Sequence, residues 1–142
     1  MILFDDNNIP VMELHAKVGS GGPANQTDST ATVELRDGTA TLYEKGEPTT
    51  ILTATRIVAD QKTLIVVGTG NVRARSLVEK GSPAIRADTM TWKHKTGKIS
   101  GAGNVLITSE PDIQIPGTRF EGDMNLKAAT IYNDGSPATG SF

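Results

Sequence analysis

The chain has 142 residues, 14 Lys plus Arg against 16 Asp plus Glu, and no cysteine. That length suits one domain, and a formal charge of −2 leaves no basic excess for a nucleic-acid backbone. The lack of cysteine excludes disulfide frameworks, thiolate metal sites and cysteine nucleophiles. With only 4% aromatic residues and 22 Gly and Pro positions, the core must be built from Val, Ile, Leu, Met and Ala, and short strands with turns are favoured over helices.

The N-terminal Met-Ile-Leu-Phe-Asp-Asp turns acidic too early for a secretory signal, and no run approaches the roughly 18–20 apolar residues of a membrane-spanning helix. Asp5-Asp6-Asn7-Asn8 supplies turn chemistry before a first strand, Val11 to Val18, in which Met12, Leu14, Ala16 and Val18 alternate with polar side chains. Gly19 to Thr30 is small and polar and reads as a mobile loop. Arg36-Asp37-Gly38, Lys45-Gly46, Lys80-Gly81, Lys95 to Lys98 and Pro116-Gly117 read as the next turns. Between them, Val72 and Ala74 alternate with Arg73 and Arg75, and Ile85 and Ala87 with Arg86 and Asp88. Phe120, Met124, Leu126 and Ala128 alternate with Glu121, Asp123, Asn125 and Lys127. A period of two on these runs predicts about nine to eleven antiparallel strands with one wet face, in one domain over 1–132 followed by a flexible tail over 133–142.

An internal repeat runs through this pattern. Thr53 to Val72 superimposes on Arg86 to Val105 at an offset of 33, with Gly68-x-Gly70-Asn71-Val72 matching Gly101-x-Gly103-Asn104-Val105. These glycines stand in strands with no helix after them, so a phosphate-binding loop is the wrong context. Glycine at alternate strand positions predicts a tight bend or the close approach of another group, and a groove on the inner face is compatible with either.

The Ala-ended strands (Leu14-His15-Ala16, Leu52-Thr53-Ala54, Ile85-Arg86-Ala87), the Ala-Asp steps and the Gly-Asn-Val repeat form one set of motifs. With the closing Gly117-x-x-Phe120-x-x-Asp123-x-x-Leu126, they resemble the OstA-like proteins of lipopolysaccharide transport, most of all the LptC soluble region, over roughly residues 4–131. The resemblance implies an all-β antiparallel jellyroll folded like a taco, holding lipid A acyl chains on its inner face. It also implies partners among other jellyrolls of the transport bridge and the inner-membrane transporter, a periplasmic location, and an inner-membrane anchor absent from this chain. An LptA-like bridge protein is the close alternative, and a structural repeat module that oligomerises edge to edge is another.

The residues expected on the inner, lipid-binding face are Met12, Leu14, Ala16, Leu52, Ala54, Val72, Ile85, Ala87, Val105, Ile107, Phe120, Met124 and Leu126. Ordinary core packing is the competing reading at each. The last strand, Arg119 to Ile131, is expected at the sheet edge, with Arg119, Glu121, Asp123, Asn125 and Lys127 available to a partner strand. His15 and His94 read as surface histidines, and Trp92 as a cover for the sheet edge. Arg73, Arg75 and Arg86 read as a cationic set on the outer face or rim. No cofactor, metal site or catalytic constellation is expected, and hence no enzyme.

Overall fold

The computed structural model describes residues 1–16, 25–27, 32–79, 81, 83–133 and 136–137. These form eleven strands: β1 (Ile2–Phe4), β2 (Pro10–Ala16), β3 (Asn25–Thr27), β4 (Thr32–Glu44), β5 (Glu47–Asp60), β6 (Ile65–Ser76), β7 (Ala84–Lys93), β8 (Lys98–Ser109), β9 (Ile113–Asp123), β10 (Ala129–Asn133) and β11 (Ser136–Pro137). All belong to one antiparallel sheet in the order β1-β2-β4-β5-β6-β7-β8-β9-β10-β11, with β3 added to the free side of β4. Neighbours in sequence are neighbours in space, as short turns require.

Six of the strands run from 10 to 14 residues, too long to stay flat. A single line of irregularities crosses them. On β6, Gly70 and Asn71 have φ of +83° and +50°, and on β8, Gly103 and Asn104 have +85° and +49°. Each pair is an inserted bulge: Gly70-Asn71 faces the single residue Asp88 on β7, and Gly103-Asn104 faces the single residue Thr118 on β9. A bulge bends its strand and sharpens the local twist. Asp37 on β4, φ +49°, continues the line opposite Thr55.

The line is a crease. On β4, β5, β7 and β9 successive inward residues step by three across it, Leu35 to Gly38, Ala54 to Ile57, Ala87 to Met90 and Gly117 to Phe120, while on β6 and β8 the bulge makes the step four. The sheet thereby divides into an upper leaf, carrying the Lys45-Gly46 and Glu110–Asp112 turns, and a lower leaf, carrying the Gln61–Leu64 and His94–Gly97 turns. Among the described residues, the inward side chains of both leaves join one buried apolar cluster. Thr50 on the upper leaf donates from Oγ1 to the carbonyl of Met124 below, 2.5 Å away and 74 residues on, which ties the leaves together. Burying about a dozen large aliphatic side chains between them, at about 1.5–3 kcal/mol each, is what holds the sheet folded.

Several expected turns take a different form. Arg36-Asp37-Gly38 and Pro116-Gly117 lie inside β4 and β9, at or beside the crease, so their turn chemistry bends a strand without reversing it. The chain reverses instead at Glu110–Asp112 and over Met124–Ala128, where Leu126 has φ +61°. Within the stretch expected as loop, Asn25–Thr27 pairs with Thr32–Glu34. Within the expected tail, Ser136-Pro137 pairs with Asn133 and Tyr132. Lys17, Val18 and the remaining positions of both stretches lie outside the described residues.

Candidate functional site: the interior between the leaves

Twelve of the thirteen residues expected on the inner face are buried, and Ala16, partly buried, packs against them. They belong to one continuous apolar cluster. Met12, Leu14, Leu52, Ala54, Val72, Ile85, Ala87, Val105 and Ile107 come from the upper leaf; Phe120, Met124 and Leu126 come from the lower. Alternation brought these side chains to the same side of the sheet, and the crease brought the two groups face to face.

The inward side chains belong to one buried cluster, and the glycines on that face are approached closely by neighbours. A Cβ on Gly101 would fall 2.5 Å from Cε1 of Phe120 and 2.6 Å from the Thr89 carbonyl, and one on Gly68 would lie 3.1 Å from Cγ1 of Val72. The close-approach reading of these glycines is the one the packing bears out. Hollows of about 270–330 Å³ do exist, but outward-facing and turn residues supply most of their walls: Thr108 to Gln114 at one, His15, Thr39 and Thr53 at another, and Thr89, Ser100 and Arg119 at a third.

Strict alternation also missed half of the interior. Leu35, Leu42, Ile57, Val66, Met90, Trp92, Ile99 and Ile131 all belong to the same cluster. For those on the lower leaf the signal is the three-residue step: once the pattern is allowed to skip a place at Asp37, Thr55 and Asp88, that leaf falls into register, whereas Leu42 on the upper leaf follows plain alternation from Ala40. Trp92 is a correction as well. It is fully buried, so it neither covers an edge nor offers a platform, and His94, half-buried, meets its ring edge-on at 5.6 Å. His15 is exposed beside Glu13 at 3.1 Å.

The edge assignment needs revision on geometric grounds. Arg119 and Glu121 lie on β9, between β8 on one side and Tyr132 and Thr130 of β10 on the other. Arg119 stacks its guanidinium on the Tyr132 ring at 4.1 Å. Asp123 ends β9 in an ion pair with Lys98 at 2.9 Å, while Asn125 and Lys127 belong to the turn that follows. At the other end the outermost strand is β1, paired to β2 through Leu3 and Met12, with Ile2 and Phe4 46% and 47% exposed. A strand of three residues was too short to announce itself by periodicity.

Two surface carboxylates are held by local donors. Arg56 donates to Glu34 at 3.0 Å, and this hydrogen bond holds the Glu34 carboxyl below its usual range. Asp60 caps the Gln61–Leu64 turn. Its Oδ1 accepts the amides of Thr63 at 3.0 Å and Lys62 at 2.8 Å, which lower its pKa in that order of weight. Among the described residues no helix is long and apolar enough to cross a membrane, and no three His, Cys, Asp or Glu side chains stand together as metal ligands.

The arrangement is a single apolar interior enclosed between two leaves. No curated protein shows significant sequence similarity to the chain. The crystal structure of LptH, the LptA-homologous periplasmic component of the lipopolysaccharide transport device from Pseudomonas aeruginosa, superimposes with a TM-score of 0.66 over 92% of each chain at 13% identity, a likeness of fold. The family model for lipopolysaccharide-assembly, LptC-related proteins matches residues 3–135. The chain belongs to the LptC-related lipopolysaccharide-assembly family, whose periplasmic members are transport proteins and not enzymes.

Proposed function

We propose that the two leaves part to admit the acyl chains of lipopolysaccharide, and that the protein hands this lipid to another jellyroll of the transport bridge. The observation that carries the reading is the make-up of the interior: one aliphatic cluster spanning both leaves, with Thr50 to Met124 across the opening. Exchanging leaf-to-leaf contacts for contacts with an acyl chain conserves apolar burial, so opening is not prohibitive. A chain of about twelve carbons contributes roughly 9 kcal/mol at about 0.8 kcal/mol per methylene, before the costs of ordering.

Transfer to a partner uses the ends of the sheet, where backbone groups are available for strand addition. In this reading β1 receives one neighbour and the β10–β11 side another. The match to an LptC-related family favours an LptC-like place at the inner membrane; the LptA-like fold of LptH keeps the bridge alternative in view.

The direct test is binding of a fluorescent lipopolysaccharide by the purified chain and by a Thr50→Cys, Met124→Cys variant bridged with a short bismaleimide. No native cysteine interferes. The open variant should bind and the bridged one should not. Equal binding by both excludes entry between the leaves, and binding by neither excludes the function. Phe4→Pro on β1 probes the partner edge, since Phe4 is an exposed residue of the outermost strand.

A further inference from the structure

Ion pairs are unevenly shared between the outer faces of the two leaves. On the lower leaf Arg56 meets Glu34 at 3.0 Å, Lys98 meets Asp123 at 2.9 Å and Arg119 meets Glu121 at 3.4 Å. On the upper leaf Arg73 and Arg86 are directly opposite each other on β6 and β7, and Arg75 is the next outward residue along β6. All three are exposed, and none has an ion-pair or hydrogen-bond partner among the described residues. Like charges directly opposite on a sheet destabilise it, so nothing in the fold itself accounts for the placement.

The other residues paired with these arginines are uncharged. Thr53 and Ile51 pair with these arginines from β5, Ala84 pairs with Arg75 from β7, and Leu106 pairs with Arg86 from β8. Asp88, two residues along from Arg86, is engaged by the Asn104 amide at 3.0 Å. Beyond Arg75 and Ser76 the chain turns through Leu77 and Val78, which are 42% and 55% exposed, before Glu110 and Asp112 in the neighbouring turn close off the face. On a protein of net charge −2, Arg73, Arg75 and Arg86 gather three like charges on one face, with Asp88 beside Arg86 and with Glu110 and Asp112 lining the same hollow as Arg75.

We infer that this face docks on the surface of an anionic phospholipid bilayer, with Arg73, Arg75 and Arg86 taking headgroup phosphates and Leu77 and Val78 entering the interfacial zone. Guanidinium forks match phosphate oxygens two at a time, as they do carboxylates, and two further features select a bilayer over an acidic protein. A stable protein interface centres on a desolvated apolar anchor, and the centre here is cationic. Exposed aliphatic residues at the margin of a basic patch suit the headgroup boundary. The residues do not overlap the interior, so the inference stands apart from acyl binding between the leaves.

The test is sedimentation of the purified chain with phosphatidylcholine vesicles and with vesicles in which one lipid in three is phosphatidylglycerol. The chain should partition onto the anionic vesicles only, and the partition should fall steeply with salt. The triple variant Arg73→Gln, Arg75→Gln, Arg86→Gln should lose about 100-fold in partition, since each interfacial cation contributes about a fivefold factor. Arg56→Gln on the lower leaf should leave it unchanged. Triple replacement by Lys should restore most of the binding, which separates loss of charge from loss of fold. Failure of the wild-type chain to sediment with anionic vesicles, or sedimentation of the triple Gln variant to the same extent, overturns the inference.

Discussion

Thr50 and Met124 lie 74 residues apart, and the hydroxyl of one reaches the carbonyl of the other at 2.5 Å inside a largely apolar interior. Thr50 is fully buried, so neither group has water as an alternative. Thr50→Val keeps the shape and removes the donor. It should cost about 1–3 kcal/mol, the price of leaving a buried carbonyl unsatisfied, whereas Thr50→Ser should recover most of the loss. Urea unfolding of the two variants checks this. A valine variant as stable as the wild type would show that the leaves are held by packing alone.

Glycines at positive φ should not respond alike. Gly97 has φ +68° with open space around its missing side chain, the nearest atom being Sδ of Met124 at 4.0 Å. Gly97→Ala should cost about 1–2 kcal/mol, the strain of a left-handed alanine. Gly103 has φ +85°, and its Cβ would fall 2.5 Å from Oδ2 and 2.8 Å from Cβ of Asp88. Gly103→Ala should therefore cost clearly more than Gly97→Ala, because it meets a neighbouring strand as well as backbone strain. Matching denaturation midpoints for the two would remove Gly103 from the crease mechanism.

Much of this was legible in the sequence, and the limits have identifiable causes. Alternation at Met12-Leu14-Ala16 and at Ile85-Ala87 correctly marked inward positions, because period two needs no knowledge of the partner strand. The Gly-x-Gly-Asn-Val repeat marked a bend, because two consecutive positive φ values are cheap for Gly-Asn and for few other pairs. What local chemistry could not distinguish was a bend from a reversal, so Asp37-Gly38 and Pro116-Gly117 looked like hairpin turns. Nor could it show that the two inward sets close on each other. Whether Ile107 lines a trough or fills a core depends on how tightly the crease folds, a long-range property that no run of ten residues encodes.

The interior positions should behave as core in the absence of lipid. Ile107 and Ile85 are opposite each other on β8 and β7 and are both buried. Ile107→Val should cost about 0.5–1.5 kcal/mol and Ile107→Ala about 2–5 kcal/mol. Ile107→Asp or Ile85→Asp should abolish the cooperative thermal transition, since an unpaired carboxylate would be enclosed without a partner. A folded Asp variant would mean that the leaves already stand open in solution, which amide exchange on β7 and β8 would then register.

Asp60 gives the fold a predictable acid limb. The Thr63 and Lys62 amides favour its ionised form, so its pKa is lower in the folded chain than in the unfolded one. Below both values each state carries the proton and the carboxylate adds nothing. Between the folded value and the ordinary range near 3.8, the unfolded chain takes up a proton that the folded chain does not, and stability rises with pH. Above that range the contribution is complete. Asp60→Ala should therefore lower stability at neutral pH, and the gap from wild type should narrow as the pH is brought down through 4 toward the folded value. Because Asp60 is at a solvated turn, the effect should be modest and weakened by salt. Parallel urea titrations at pH 7 and at successive steps below pH 4 would reveal it. A gap that stays constant with pH would assign the role of Asp60 to turn conformation and not to charge.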